Sequence, residues 1–193
     1  MNHEEPSRSG LTPRDLALAA GLVFVAAITL TVMGQVPICR CGTVKPWHGV
    51  VLSSENSQHL SDWYSFSHII HGFAFYGLLW LVGRRWPIGV RLLVAIAIEG
   101  AWEVFENTDF VINRYRDATI SLDYYGDSVI NSVSDIGMMI AGFLIASRLP
   151  LMAVLGLAAA MEIGVAYMIR DNLALNILML VWPLEAVKAW QGG

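Results

Sequence analysis

Six apolar stretches, each near the length a helix needs to cross a bilayer, constrain this chain more than any other feature. A spanning helix takes roughly 20 mostly apolar residues. The stretches run over about 16–33, 65–83, 87–108, 128–147, 150–170 and 173–187. The last is short and holds Pro183, which predicts a tilted, kinked or partly inserted segment. Composition agrees: 55% of the 193 residues are hydrophobic and 15% charged, which would leave a soluble enzyme with apolar surface facing water. A net charge of −4 lacks the basic patch of a nucleic-acid binder, and two cysteines cannot build a disulfide-rich secreted scaffold. The expected fold class is all-α, a polytopic integral membrane bundle of about six helices.

The first stretch is longer than a signal-peptide core of about 7–15 residues and has no small-x-small cleavage site after it, so it is expected to remain as a helix. Cys39 follows Pro37 and Ile38, which is not the setting of a lipoprotein acceptor. Basic residues in short loops set orientation. With the N-terminus inside, the cytoplasmic side collects Arg8, Arg14, Arg84, Arg85, Arg91, Arg148 and Lys188. Arg40, Lys45, Arg114, Arg116 and Arg170 fall on the opposite side. Both termini are therefore expected in the cytoplasm, with extracytoplasmic loops over about 35–64 and 109–127. Residues 1–13 read as a flexible cytoplasmic tail and 14–193 as one transmembrane domain.

Ionisable groups inside such spans cost about 2.5–3.5 kcal/mol each even on the gentler insertion scale, so they face the protein interior and point to function. Helix two of this plan carries His68 and His71, and helix three carries Glu99, Glu103 and Glu106. Helix four has Asp127, Asn131 and Asp135, while helix five has Glu162 and ends at Arg170 and Asp171. Spacings of three and four put each set on one face of its helix. The topology places most of them in the same outer third of the bilayer, with Glu99, Asp135 and Glu162 deeper.

Two imidazoles and several carboxylates form an N/O ligand set for a divalent metal such as Zn, Mn or Fe. The expected ligands are His68, His71, Glu103, Asp127 and Asp135. Glu99 or Glu106 is the expected general base, and Asn131, Glu162, Arg170 and Asp171 form a supporting polar network. Such a centre suits hydrolysis or transfer on an envelope lipid or lipid-linked substrate, with membrane lipids as partners and no nucleic acid. Two alternatives stay open. The charged groups could pair with one another and with Arg114, Arg116 or Arg170 as a structural network. Glu99, Glu103 and Glu106 could instead be stepping stones for a proton or cation. No Gly-rich phosphate loop or G-x-S-x-G elbow is present.

The first outer loop holds Cys39-Arg40-Cys41, which could be a disulfide, a soft metal site or two free thiols. His48, His59 and Asp62 could cap the membrane centre from above but are expected at the surface of that loop, and Trp47, Trp63, Tyr64, Tyr124 and Tyr125 in an interfacial aromatic belt.

The strings CRCGTVKPWHGVV, SSENSQHLSDWYSFSHIIHGF, IEGAWEVFENT, ATISLDYYGDSVINSVSD and RDNLALNILMLVWPLEAVKAW resemble uncharacterised protein family 0314, a group of bacterial inner-membrane proteins. The resemblance covers nearly the whole chain after the first helix. It implies a multi-pass protein of the bacterial inner (plasma) membrane and no named activity. SHIIHGF, IEGAWE and DSVINSVSD are also similar in order and spacing to VanZ-like membrane proteins. This chain departs from that pattern by its second histidine, its extra glutamates and the lack of an Arg directly before the Asp helix.

Overall fold

The structure, a computed structural model, describes residues 10–119 and 122–193. Most of the expected N-terminal tail, residues 1–9, lies outside the described residues. Eight helices and no strand are found among the described residues: α1 (Pro13–Met33), α2 (Ser65–Val82), α3 (Ile88–Glu106), α4 (Asp109–Ala118), α5 (Val129–Ala146), α6 (Leu151–Ile169), α7 (Leu173–Val181) and α8 (Glu185–Gln191).

Helix boundaries follow local chemistry. Thr12 and Asp15 cap each other's backbone at the start of α1, with Pro13 in the first turn, and Gly34 ends the helix at φ 97°. Pro87 and Pro150 open α3 and α6, and the Ser128 side chain accepts from the Asn131 amide at the head of α5. The other free amides there are met by the long first loop. Ser128 donates to the Ser57 carbonyl (3.0 Å), Val129 to Val36 (2.9 Å) and Ile130 to Pro37 (3.2 Å).

Four helices, α1, α2, α5 and α6, are long and apolar enough to cross a membrane. Helix α3 has comparable length but carries Arg91, Glu99, Glu103 and Glu106, and it lies against α1, α2 and α5. The closest packing joins α2 to α5. A Cβ on Gly72 would stand 2.2 Å from the Met139 carbonyl oxygen, and one on Gly142 would stand 2.1 Å from that of Ile69. Only hydrogen fits at either position, so the two backbones meet directly, as small residues allow between membrane helices. Around this crossing sits the core of Ala26, Leu79, Leu92, Ala95, Ile96, Ile136, Met139 and Phe143. The outer faces of α1 and α6 stay bare: Val32 is 82% exposed, Leu151 70% and Ile163 71%. Apolar side chains of that size facing outward suit lipid rather than water.

Two expectations are corrected. The stretch 173–187 is not one helix; it breaks at Trp182 and Pro183 into α7 and α8. Nine residues of α7 rise only about 14 Å at 1.5 Å each, short of the roughly 30 Å hydrocarbon core. The expected loop 109–127 contains α4, which buries Val111, Ile112, Tyr115 and Ala118 on one face. Helix α4 packs on α7, where Arg114 Nε donates to the Leu180 carbonyl at 2.8 Å.

Candidate metal centre

His68 and His71 lie in the first two turns of α2 and share one face, and Glu99 comes to them from the neighbouring α3. His68 Nδ1 is 2.6 Å from Glu99 Oε1, and His71 Nδ1 is 3.2 Å from each Glu99 oxygen. Glu99 and Glu103 have no exposure, His68 is 7% exposed, and the His71 side chain is 18% exposed. Phe75 and Trp102 pack against the His71 ring at centroid distances of 5.9 and 6.3 Å and fix its plane. One ligand atom from each of His68, His71 and Glu99 lies within 4.8 Å of the others. Ligands held tetrahedrally at about 2.1 Å from an ion stand roughly 3.4 Å apart. The ligand atoms of the triad are thus grouped closely enough that a metal ion could be held among them after small shifts.

Around it the remaining acids divide. Glu103, Glu106 and Asp127 form a second group with ligand atoms within 4.8 Å of one another. Asp135 stands apart from both groups. Its Oδ1 accepts from Ser65 Oγ (3.1 Å), and its Oδ2 lies 3.8 Å from His68 Nε2. Of the carboxylates expected beside the imidazoles, Glu103 comes within 3.5 Å of His68 Nδ1, while Glu99, expected as a base, is the one that meets both histidines.

His68, His71, Glu106, Asp127, Asp135 and Asp171 all border one cavity of about 480 Å³. Its walls are otherwise mostly apolar and aromatic, with Phe75, Ile98, Trp102, Leu173, Ile177, Leu180 and Val181, and no Lys or Arg among the described residues lines it. Asp171 belongs there through Tyr64, whose hydroxyl donates to Asp171 Oδ2 at 3.0 Å. Burial pushes the Asp171 carboxyl up to about 6, against the Tyr64 hydroxyl that favours its ionised form. Asp127, just before α5, is likewise raised to about 6 by burial, although Asn107 and Tyr124 donate to it at 3.1 Å each.

Three residues expected in the network do other work. The Glu162 carboxylate accepts from the amides of Leu173 (3.0 Å) and Ala174 (3.1 Å) and so caps α7. Asn131 donates to the His59 carbonyl (2.8 Å) and ties the outer loop to α5. Arg170 is exposed and donates to the Trp190 carbonyl, away from the acids. The arginines offered as partners for the carboxylates do not pair with them. Arg114 and Arg116 donate to the backbone carbonyls of Leu180 and Tyr124, and Lys45–Glu55 is the one Lys or Arg ion pair among the described residues.

Several residues were misplaced by the sequence. Tyr64 and Tyr124, expected in the aromatic belt, turn their hydroxyls to Asp171 and Asp127. Tyr115, in the unexpected α4, shares its one hydroxyl proton between Asn176 Oδ1 (2.6 Å) and Glu106 Oε1 (3.1 Å). The signal was a tyrosine and acid alternation in DYYGD next to a polar segment, which also reads as interface. His48, His59 and Asp62 are buried inside the outer loop, not on its surface. Burial raises the Asp62 carboxyl, whereas Lys45 and then His59 hold Glu55 down to about 2. Cys39 and Cys41 are joined as a disulfide.

Comparison with known proteins gives the chain its place. The family described as "Protein of unknown function (DUF2585)" matches residues 30–193. A UPF0314 protein of Sinorhizobium fredii is 59% identical over 178 residues, covering 92% of this chain and 90% of that protein. One of Rhizobium meliloti is 58% identical with the same coverage, and one of Novosphingobium aromaticivorans is 54% identical over 95% of this chain and 96% of its own. No solved structure matches. The likeness to VanZ-like proteins is not shown by these relatives, whose names carry no activity. The chain belongs to the UPF0314 family.

Proposed function

We propose that this chain is a metal-dependent hydrolase or transferase of the bacterial inner membrane, acting at the outer leaflet on an envelope lipid or lipid-linked substrate. The observation that carries this reading is the convergence of His68, His71 and Glu99 from two helices beside a cavity of about 480 Å³ with a largely apolar wall. An apolar wall receives an acyl or prenyl chain, and the polar end receives the head group. With both termini in the cytoplasm, the Arg84–Arg85 turn lies inside and the cavity at the outer face, where lipid-linked envelope intermediates are exposed.

His68, His71 and Glu99 would hold a transition metal such as Zn, Mn or Fe. A bound ion of that kind polarises an ester or phosphoryl oxygen and makes water nucleophilic at neutral pH. Asp135 borders the cavity, ligates neither group and is oriented by Ser65 Oγ, so it is the residue placed to accept a proton. Tyr64 and Asp171, hydrogen-bonded at the cavity edge, would orient the polar end of the substrate.

The reading is tested by reconstituting the purified chain in liposomes of bacterial envelope lipid extract and following products by mass spectrometry. The expected result is a lipid product that disappears on chelation and in His68→Ala. An unchanged lipid profile with metal-loaded wild type, across extracts that include lipid-linked intermediates, would contradict it.

A further inference from the structure

Glu103 is the least accounted-for side chain in the molecule. It has no exposure, and neither of its carboxylate oxygens has a hydrogen-bond partner. The ion-pair contact it makes among the described residues is with His68 Nδ1, 3.5 Å from Oε1, and that nitrogen already lies 2.6 Å from Glu99. A buried carboxylate without donors is costly unless a cation or a proton meets it.

The surroundings of Glu103 are arranged as those of a ligand. It aims an oxygen at Glu106 and Asp127, all three offering one within 4.8 Å of the others. Both of those partners are held from behind by neutral donors: Tyr115 on Glu106, Asn107 and Tyr124 on Asp127. Such outer donors fix carboxylates in the orientation a metal needs. Asn107 itself is pinned, donating to the Glu103 carbonyl (2.9 Å) and accepting the Asp127 amide (2.6 Å). Among the described residues no Lys or Arg pairs with any of the three.

We infer that Glu103, Glu106 and Asp127 form a second cation site beside the His68–His71–Glu99 site, so that the centre holds two ions. This inference rests on the metal-centre reading above, and it adds a site of different chemistry. An all-oxygen, all-carboxylate set selects a hard divalent cation, Mn²⁺ or Mg²⁺, whereas the two imidazoles favour Zn²⁺ or Fe²⁺. Glu99 and Glu103 are one helical turn apart on α3, about 5–6 Å of rise, and His68 reaches toward both. Two ions so placed would face one head group from the same side of the cavity.

The test is metal titration of the full-length protein, purified in mild detergent and stripped with chelator, using Zn²⁺ and Mn²⁺ alone. Mn²⁺ is read by electron paramagnetic resonance and total metal by elemental analysis. Wild type is expected to take two equivalents. A Glu103→Gln/Asp127→Asn variant is expected to keep one, held by the histidines. His68→Ala/His71→Ala is expected to lose that one and still bind Mn²⁺, with a rise in Tm on Mn²⁺ addition that the acidic-site variant lacks. A single equivalent in wild type, or two retained in the acidic-site variant, would overturn the second site. Loss of the histidine-site metal alone would instead count against the proposed function. If the double variant does not elute as a folded species, Glu106→Gln serves in its place, and the wild-type stoichiometry is decisive on its own.

Discussion

Glu99 gives the residue-scale logic of the centre. It sits on α3, has no exposure, and meets both imidazoles of α2 within hydrogen-bond distance. Asp135 lies 3.8 Å from His68 Nε2 and belongs to neither group of three, and under the proposed function it would accept the proton. Asp135→Asn is therefore expected to lower turnover of a lipid substrate by about 10²–10⁴ while metal content stays at the wild-type level. Metal lost along with activity would make Asp135 a ligand instead. A second prediction concerns Asp171, whose folded carboxyl is raised to about 6 from an ordinary 3.8 by burial. A raised acid binds its proton more tightly folded than unfolded. Its contribution to stability is thus complete below about 4 and is lost as pH rises through about 6. Wild-type Tm should rise as pH falls from 7 to 5, and Asp171→Asn should remove a part of that slope worth on the order of 1–2 kcal/mol. Equal slopes in the two proteins would show that Asp171 does not titrate in this window. Spacing put His68 and His71 on one face and at a depth shared with the carboxylates, but did not say whether those faces meet. Which carboxylate meets them was not legible either, because Glu99, Glu103 and Glu106 lie on one face and only the register of α2 against α3 selects Glu99.

At the scale of elements, the α2–α5 crossing sets that geometry. Gly72 and Gly142 let the backbones touch, and the histidines ride on the same helix two turns or less from the contact. A side chain at Gly142 would force the helices apart. Gly142→Val is expected to cost at least about 1–3 kcal/mol of stability and to lower the Tm in detergent markedly. Gly137→Ala, five residues earlier where a Cβ meets nothing within 4 Å, should leave it unchanged or slightly raised. Equal effects of the two substitutions would remove the crossing from the account. Helices α1, α2, α3, α5 and α6 were all readable as apolar runs with prolines and glycines at their ends. Helix α4 was not, because DFVINRYRDA is polar on average and its apolar face spans only Val111, Ile112, Tyr115 and Ala118. Pro183 marked trouble in 173–187, yet hydropathy could not tell a kink from the full break into α7 and α8.

For the whole molecule, apolar side chains stay bare on α1 and α6, while polar groups from α2, α3 and the segment around α5 border one cavity. The proposed orientation predicts that Arg84→Cys, in the turn between α2 and α3, reacts with a membrane-impermeant maleimide only when the cytoplasmic side is opened. Labelling from outside intact cells would invert the protein and place the cavity in the cytoplasmic leaflet. The larger question is what meets the buried carboxyls of Glu99, Glu103, Glu106, Asp127 and Asp135, which two imidazoles and, among the described residues, no Lys or Arg accompany. Elemental analysis of the purified chain beside His68→Ala/His71→Ala asks this most directly. The account predicts near-stoichiometric Zn, Mn or Fe in the wild type, lost from the histidine site in a variant that still elutes as a folded species. Wild type free of metal after refilling with each of the three ions would contradict it and leave protons as the counter-charge of a structural network.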